Sequence, residues 1–318
     1  MREAVFIRQN LKKWRHYDTV VSQPEGCSPD EVAEVYNDLV ADLAFAQTQY
    51  PNSPIESYLN NATLTLHNAI YRPRREKWSR VSSFWTTEVP LAIWNARRAM
   101  AVALAIFLVT TFIGMISTLG DHDFPRLILG DSYVDMTISN IENGDPAAVY
   151  QSGGRFESFA MIAYNNLQVS MYAFVLGIFT VLGPAYILAT NGIMFGAFTT
   201  MFFNEGVLGE AMMAVMLHGT LELSTIVLMG GAGIVMGNGW LFPGTYSRVT
   251  SFRRAARRGL KIVVGAMPIV VAAAFVEGFF SRYTDASSAL RLGFILISAV
   301  FVLFYYVYLP YRLSHATK

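Results

Sequence analysis

Apolar residues at helical spacing open the chain. Ala4, Ile7, Leu11 and Trp14 recur every three or four positions, the period of one helix face. Two more helices are marked by their starts: Ser28-Pro29-Asp30-Glu31 precedes Val32, Val35, Tyr36, Leu39 and Leu43, and Ser53-Pro54-Ile55-Glu56 precedes Tyr58, Leu59, Ala62, Leu66 and Ile70. In such a capping box the Ser hydroxyl accepts from the third helical amide, Pro takes the first position, and Glu reaches back to the cap. Residues 1–72 are therefore predicted to form a three-helix cytoplasmic region. Its narrow apolar faces are expected to lean on the rest of the chain or on a partner.

Beyond residue 98 the pattern changes from one-sided to uniformly apolar, with runs near 99–119, 166–189, 193–208, 211–236, 260–280 and 292–309. A bilayer needs about 20 such residues, so 193–208 is marginal, and Asn191-Gly192 reads as a break before it. Gly183-Pro184 and Pro268 are expected kinks. Residues 120–165 form a polar loop in which Asp121, Asp123, Asp131, Asp135, Glu142, Asp145 and Glu157 face only Arg126 and Arg155; a solvated connector outside the membrane is the simplest reading. The predicted fold class is all-α: a polytopic membrane helix bundle with about six spans and an N-terminal cytoplasmic helical region.

Charge sets the orientation. Arg248, Arg253, Arg254, Arg257 and Arg258 lie between the fourth and fifth runs and Lys261 at the start of the fifth, with no acidic residue among them, which marks a cytoplasmic loop. Arg97 and Arg98 precede the first run. Six crossings satisfy both and leave the two termini, with Arg312 and Lys318, in the cytoplasm. Residues 73–98 interleave Arg74, Arg75, Lys77 and Arg80 with Trp78, Phe84, Trp85 and Trp94, a composition suited to an interfacial helix on an anionic leaflet. A juxtamembrane elbow is the plain version of that reading.

Composition agrees: 53% of residues are hydrophobic, 15% are charged, and mean hydropathy is +0.36. A soluble single-core domain is a poor fit, and nucleic acid is not expected as a partner. Cys27 is the one cysteine, so no intrachain disulfide can form. MREAVFIRQNLKKW has no continuous apolar stretch, and no cleavable signal peptide is expected.

The chemistry is sparse. His218 and Glu222 sit inside the fourth run at i and i+4, one above the other on one helix face. Ionisable groups at that depth need a partner, a cavity or a task; a pair that fixes helix register and a proton or ion relay are both open. Glu277, near the outer end of the fifth run, is expected to be hydrated or paired. Asn165, Asn166 and Asn191 are further polar candidates. Gly192, Gly196, Gly230, Gly233 and Gly237 are positions where helix backbones approach closely. Helical zinc hydrolases use H-E-x-x-H, and no run here holds a second His, since His16, His67, His122 and His315 fall outside. No metal, cofactor or catalytic set is expected, and the chain is read as a non-enzyme.

Asn165-Asn166-Leu167-Gln168-Val169, leading to Asn191-Gly192-Ile193-Met194-Phe195-Gly196, resembles the NN-x-x-V … NG-x-x-x-G region of the stage II sporulation protein M family. His218-Gly219-Thr220-Leu221-Glu222-Leu223 is similar to that family's HG-x-x-EL signature, and Glu277-Gly278-Phe279 to its E-x-F element. The resemblance implies an integral protein of the bacterial inner membrane. In spore formers the namesake helps recruit peptidoglycan-degrading enzymes. The expected role is a membrane scaffold organising envelope or peptidoglycan-remodelling partners. A transporter or channel with a polar path through His218 and Glu222 is the alternative, and an intramembrane hydrolase a weaker one. Membrane lipids, envelope or cytoplasmic proteins and a second copy in a homodimer are the expected partners.

Overall fold

The structure is a computed structural model that describes residues 2–71, 78–144, 155–280 and 288–316. Arg74, Arg75, Lys77, Asp145, Arg282 and Lys318, and the side chains of Trp78, Arg155 and Glu157, lie outside the described residues. No strand occurs among the described residues. The chain divides into two compact units, Met1–Lys77 and Trp78–Lys318.

The first unit is three helices, α1 (Glu3–Ser22), α2 (Pro29–Gln49) and α3 (Pro54–Tyr71). Both capping boxes form. Ser28 Oγ accepts from the Glu31 amide at 3.2 Å and Ser53 Oγ from the Glu56 amide at 3.2 Å, while Glu56 reaches back to the Asn52 amide at 2.6 Å. The apolar faces converge on a core of their own that contains Phe6, Trp14, Leu39, Leu59 and Leu66. Polar bonds across the helices complete what narrow stripes leave open: Trp14 Nε1 donates to Asp42 at 2.8 Å, Tyr17 to Asp38 at 2.5 Å and Tyr58 to Asp18 at 2.7 Å. Burial, then the bond to Asp38, raises the Tyr17 phenol above its ordinary range.

The second unit opens with an elbow. Helix α4 (Trp78–Ser83), a π-turn at Phe84–Glu88 and α5 (Val89–Asn95) follow one another without a break, so the described part of the segment expected as one interfacial helix over 73–98 is helical with a π-bulge. Pro90 suits a helix start, and Val89, Ala92 and Ile93 are buried. The bundle follows: α6 (Arg97–Gly120), α7 (Phe124–Leu129), α8 (Asp131–Glu142), α9 (Arg155–Val175), α10 (Leu182–Asn204), α11 (Leu208–Leu241), α12 (Arg248–Phe279) and α13 (Ser288–Ala316). Among the described residues α6, α10, α11, α12 and α13 are long and apolar enough to cross a membrane. The chain is a membrane protein with an all-α bundle.

The expected second and third runs are redivided. The helix does not run over 166–189 and break at Asn191-Gly192. It ends at Val175, turns through 176–181 and restarts as α10, which carries Asn191 and Gly192 in its interior. Gly183-Pro184 lies in the first turn of α10, where proline is tolerated because those amides have no intrahelical acceptor. Asn191 does not open a turn because its Nδ2 bonds the Ile187 carbonyl at 2.8 Å, and Gly192 is required where α10 crosses α6. The span of marginal length is thus a full helix of 23 residues. Pro268 lies inside α12, which continues past it.

Close glycine contacts set the crossings among α6, α9, α10, α11 and α12. A Cβ on Gly192 would strike Thr110 and the Phe107 carbonyl, and one on Gly196 the Thr111 carbonyl, so α6 and α10 run parallel in direct backbone contact. Gly233 of α11 meets the Ala173 carbonyl and Gly177 beyond the end of α9; Gly230 seats Leu188, Gly237 meets Val181, and Gly259 of α12 meets Ala232. These contacts make α11 the central helix, with Met229 and Ala232 fully buried. The 120–165 loop is not a bare connector: α8 buries Val134 against Phe202 and Ala211.

Gly196→Val is expected to destabilise the bundle by about 1 to 3 kcal/mol through forced separation of α6 and α10. Gly219→Ala, whose Cβ would meet its nearest atoms at an ordinary 3.7 Å, should leave stability unchanged or slightly raised. Thermal unfolding in detergent distinguishes the two.

Candidate functional site

Three helices bring one polar side chain or more each to a common point. His218 stands ten residues after Leu208, about 15 Å into α11, and Glu222 follows one turn on. α12 runs antiparallel to α11, as Gly239 against Ala255 and Gly259 against Ala232 fix, and this register carries Glu277 back to the level of His218. His218 Nε2 lies 3.7 Å from Glu277 Oε2. α9 runs parallel to α11, and Asn166 hydrogen-bonds the Glu222 carboxylate.

His218, Glu222 and Glu277 each offer a ligand atom, all within 4.8 Å of one another. The His218 side chain is 6% exposed and that of Glu277 14%. The sequence pairs His218 with Glu222 and leaves Glu277 apart; the structure joins all three and adds Asn166. Asn165 is exposed, and Asn191 bonds its own helix backbone. Gly192, Gly196, Gly230, Gly233 and Gly237 lie at the helix crossings described above. Trp85 accepts the Tyr305 hydroxyl at its backbone carbonyl at 2.7 Å, and the Trp94 ring packs on Tyr311, so the elbow holds α13 through the Trp85 backbone and the Trp94 side chain.

Tyr133 of α8, which no sequence pattern singles out, comes within electrostatic reach of Glu277. Burial raises its phenol above the ordinary range, and the Glu277 charge acts in the same direction. Tyr133 thus marks the side of the cluster that faces α8. On the other side the glycine seam at Gly177 and Gly233 is closed, and Thr225 and Met229 have no exposed surface.

An imidazole and two carboxylates at this separation can share a proton or hold a divalent cation, for which imidazole and carboxylate are suitable donors. No fourth ligand is fixed by the three. Lone charges here would be costly, so the groups are coupled. His218→Leu or Glu277→Leu alone is expected to destabilise the bundle more than the double replacement, because each single change strands the other group. Thermal unfolding of the two singles and the double forms the cycle, and a coupling of about 1 to 3 kcal/mol is expected.

A family model described as Stage II sporulation protein M matches residues 103–282, and one described as a domain of unknown function (DUF8413) matches residues 4–72. Among curated proteins and among solved structures nothing matches. The first match covers more than half of the chain and contains Asn166, His218, Glu222 and Glu277. The chain belongs to the stage II sporulation protein M family.

Proposed function

We propose that this chain is a multi-pass protein of the bacterial inner membrane with both termini cytoplasmic, and that it is a transporter in which His218, Glu222 and Glu277 bind the coupling cation, a proton or a divalent metal ion. One observation carries the reading: three ionisable side chains from two helices, backed by Asn166 from a third, converge within 4.8 Å inside an apolar bundle. Ionisable groups that face a bundle interior are typical of proton relays and ion paths. The orientation is supported by the basic α11–α12 connection and by helix directions, since α6 and α10 run parallel and α11 opposes both.

On the side of the cluster away from α8 the helices are in close contact at Gly177 and Gly233. Transport therefore requires the seam between α9 and α11 to part, the rocking of packed helices around a fixed site that transporters use. Purified protein in liposomes should show proton, Mn²⁺ or Zn²⁺ flux above that of empty liposomes under an imposed gradient. His218→Ala should abolish it while the detergent elution profile stays that of the parent. Absence of flux for all three cations would reject the transporter reading.

A scaffold for envelope or peptidoglycan-remodelling partners has separate support: residues 1–71 build their own core, and α13 keeps only 6% of its most apolar window buried, leaving surface for a protein partner or a second copy. In that case the polar cluster is a lock between helices, without catalytic activity. Cross-linking in native membranes that recovers a defined partner, from a protein without flux, would select this reading.

A further inference from the structure

At the other end of the bundle lies a cavity of about 680 Å³ between the start of α6, the last turns of α11 and the start of α12. Arg97 and Arg98 of α6 face Arg254 and Arg258 of α12 across it, with Asn238 of α11 and Tyr246 of the connecting turn as polar neighbours. No residue lining it is acidic, and the sequence holds no Asp or Glu from residue 223 to 276 or from 89 to 120. Among the described residues no carboxylate pairs with any of the four guanidinium groups. Four cations around one concavity repel each other unless an anion lies between them.

The walls narrow the choice of anion. Arg254 stacks on the Tyr246 ring at 4.0 Å, and Arg97 lies 4.9 Å over the Trp94 ring with its Nη1 donating to the Trp94 carbonyl at 3.2 Å. Stacking holds each planar donor fork in place, the arrangement in which arginine surpasses lysine as a phosphate ligand. Arg254 and Arg258 are one turn apart on one helix face. Behind them Ala96, Ala99 and Val235 are buried, while Phe242, at the cavity rim, is 75% exposed. A charged floor beside an apolar lip fits an amphiphile.

We propose that this cavity is a phosphate-binding site at the cytoplasmic membrane surface, built for the phosphate of an anionic phospholipid whose chains lie along the apolar rim. The site is separate from the His218 cluster and does not depend on the transporter reading.

The full-length protein in a neutral detergent is titrated with short-chain phosphatidylglycerol, short-chain phosphatidylcholine and inorganic phosphate, and binding is read as a rise in unfolding temperature. Saturable stabilisation by phosphatidylglycerol alone supports the lipid source. Equal stabilisation by inorganic phosphate supports the phosphate site and assigns it a soluble ligand. The pair Arg254→Gln with Arg258→Gln should weaken binding at least tenfold, as should Arg97→Gln with Arg98→Gln. Arg253→Gln with Arg257→Gln removes the same charge from α12 outside the cavity and should change binding less than threefold. Equal losses in all three pairs would reduce the effect to diffuse charge and overturn the proposal, as would no binding of either phosphate probe.

Discussion

Lipid gives two apolar helices no reason to touch, so this bundle depends on how closely their backbones can approach. α11 supplies that closeness through Gly230, Gly233 and Gly237, which receive Leu188, the Ala173 carbonyl with Pro184, and Val181. At such separations many weak dispersion contacts add up, and each contact leaves little freedom to slide. Register along α11 is therefore fixed, and everything polar inherits its position from it. Glu277 reaches His218 because Gly259 locks α12 against Ala232, and Asn166 reaches Glu222 because Gly177 locks the end of α9 against Gly233.

Much of this could be read in the chain, and the rest shows what periodicity omits. His218 and Glu222 were legible because a single helix sets their relation. Glu277 and Asn166 stood out as polar, but their meeting with the pair is a property of inter-helix register, which no local window contains. Asn165 and Asn166 looked equivalent, yet neighbours on a helix point about 100° apart, and only one can face inward. Asn191-Gly192 misled for a related reason. A glycine that ends a helix and a glycine that admits another backbone have the same letter, and here Thr110 and Phe107 of α6 occupy the space.

The N-terminal unit repeats the lesson. Its capping boxes were plain, since they are local. Its internal core was not, because narrow apolar stripes are supplemented by bonds such as Trp14 to Asp42 and Tyr58 to Asp18 that join distant positions. The elbow at 78–95 shows the same limit: Trp and Arg announced an interface, while the fit of Val89 onto Gly265 of α12 is known only from the folded chain.

One arginine belongs to two neighbourhoods. Arg97 lines the basic cavity and also lies over Trp94, whose ring rests on Tyr311 and His315 near the chain's end. α6 and the last turns of α13 are thereby joined through the Trp94 ring. What binds that arginine in the cavity therefore also bears on the ring against which the last helix is packed.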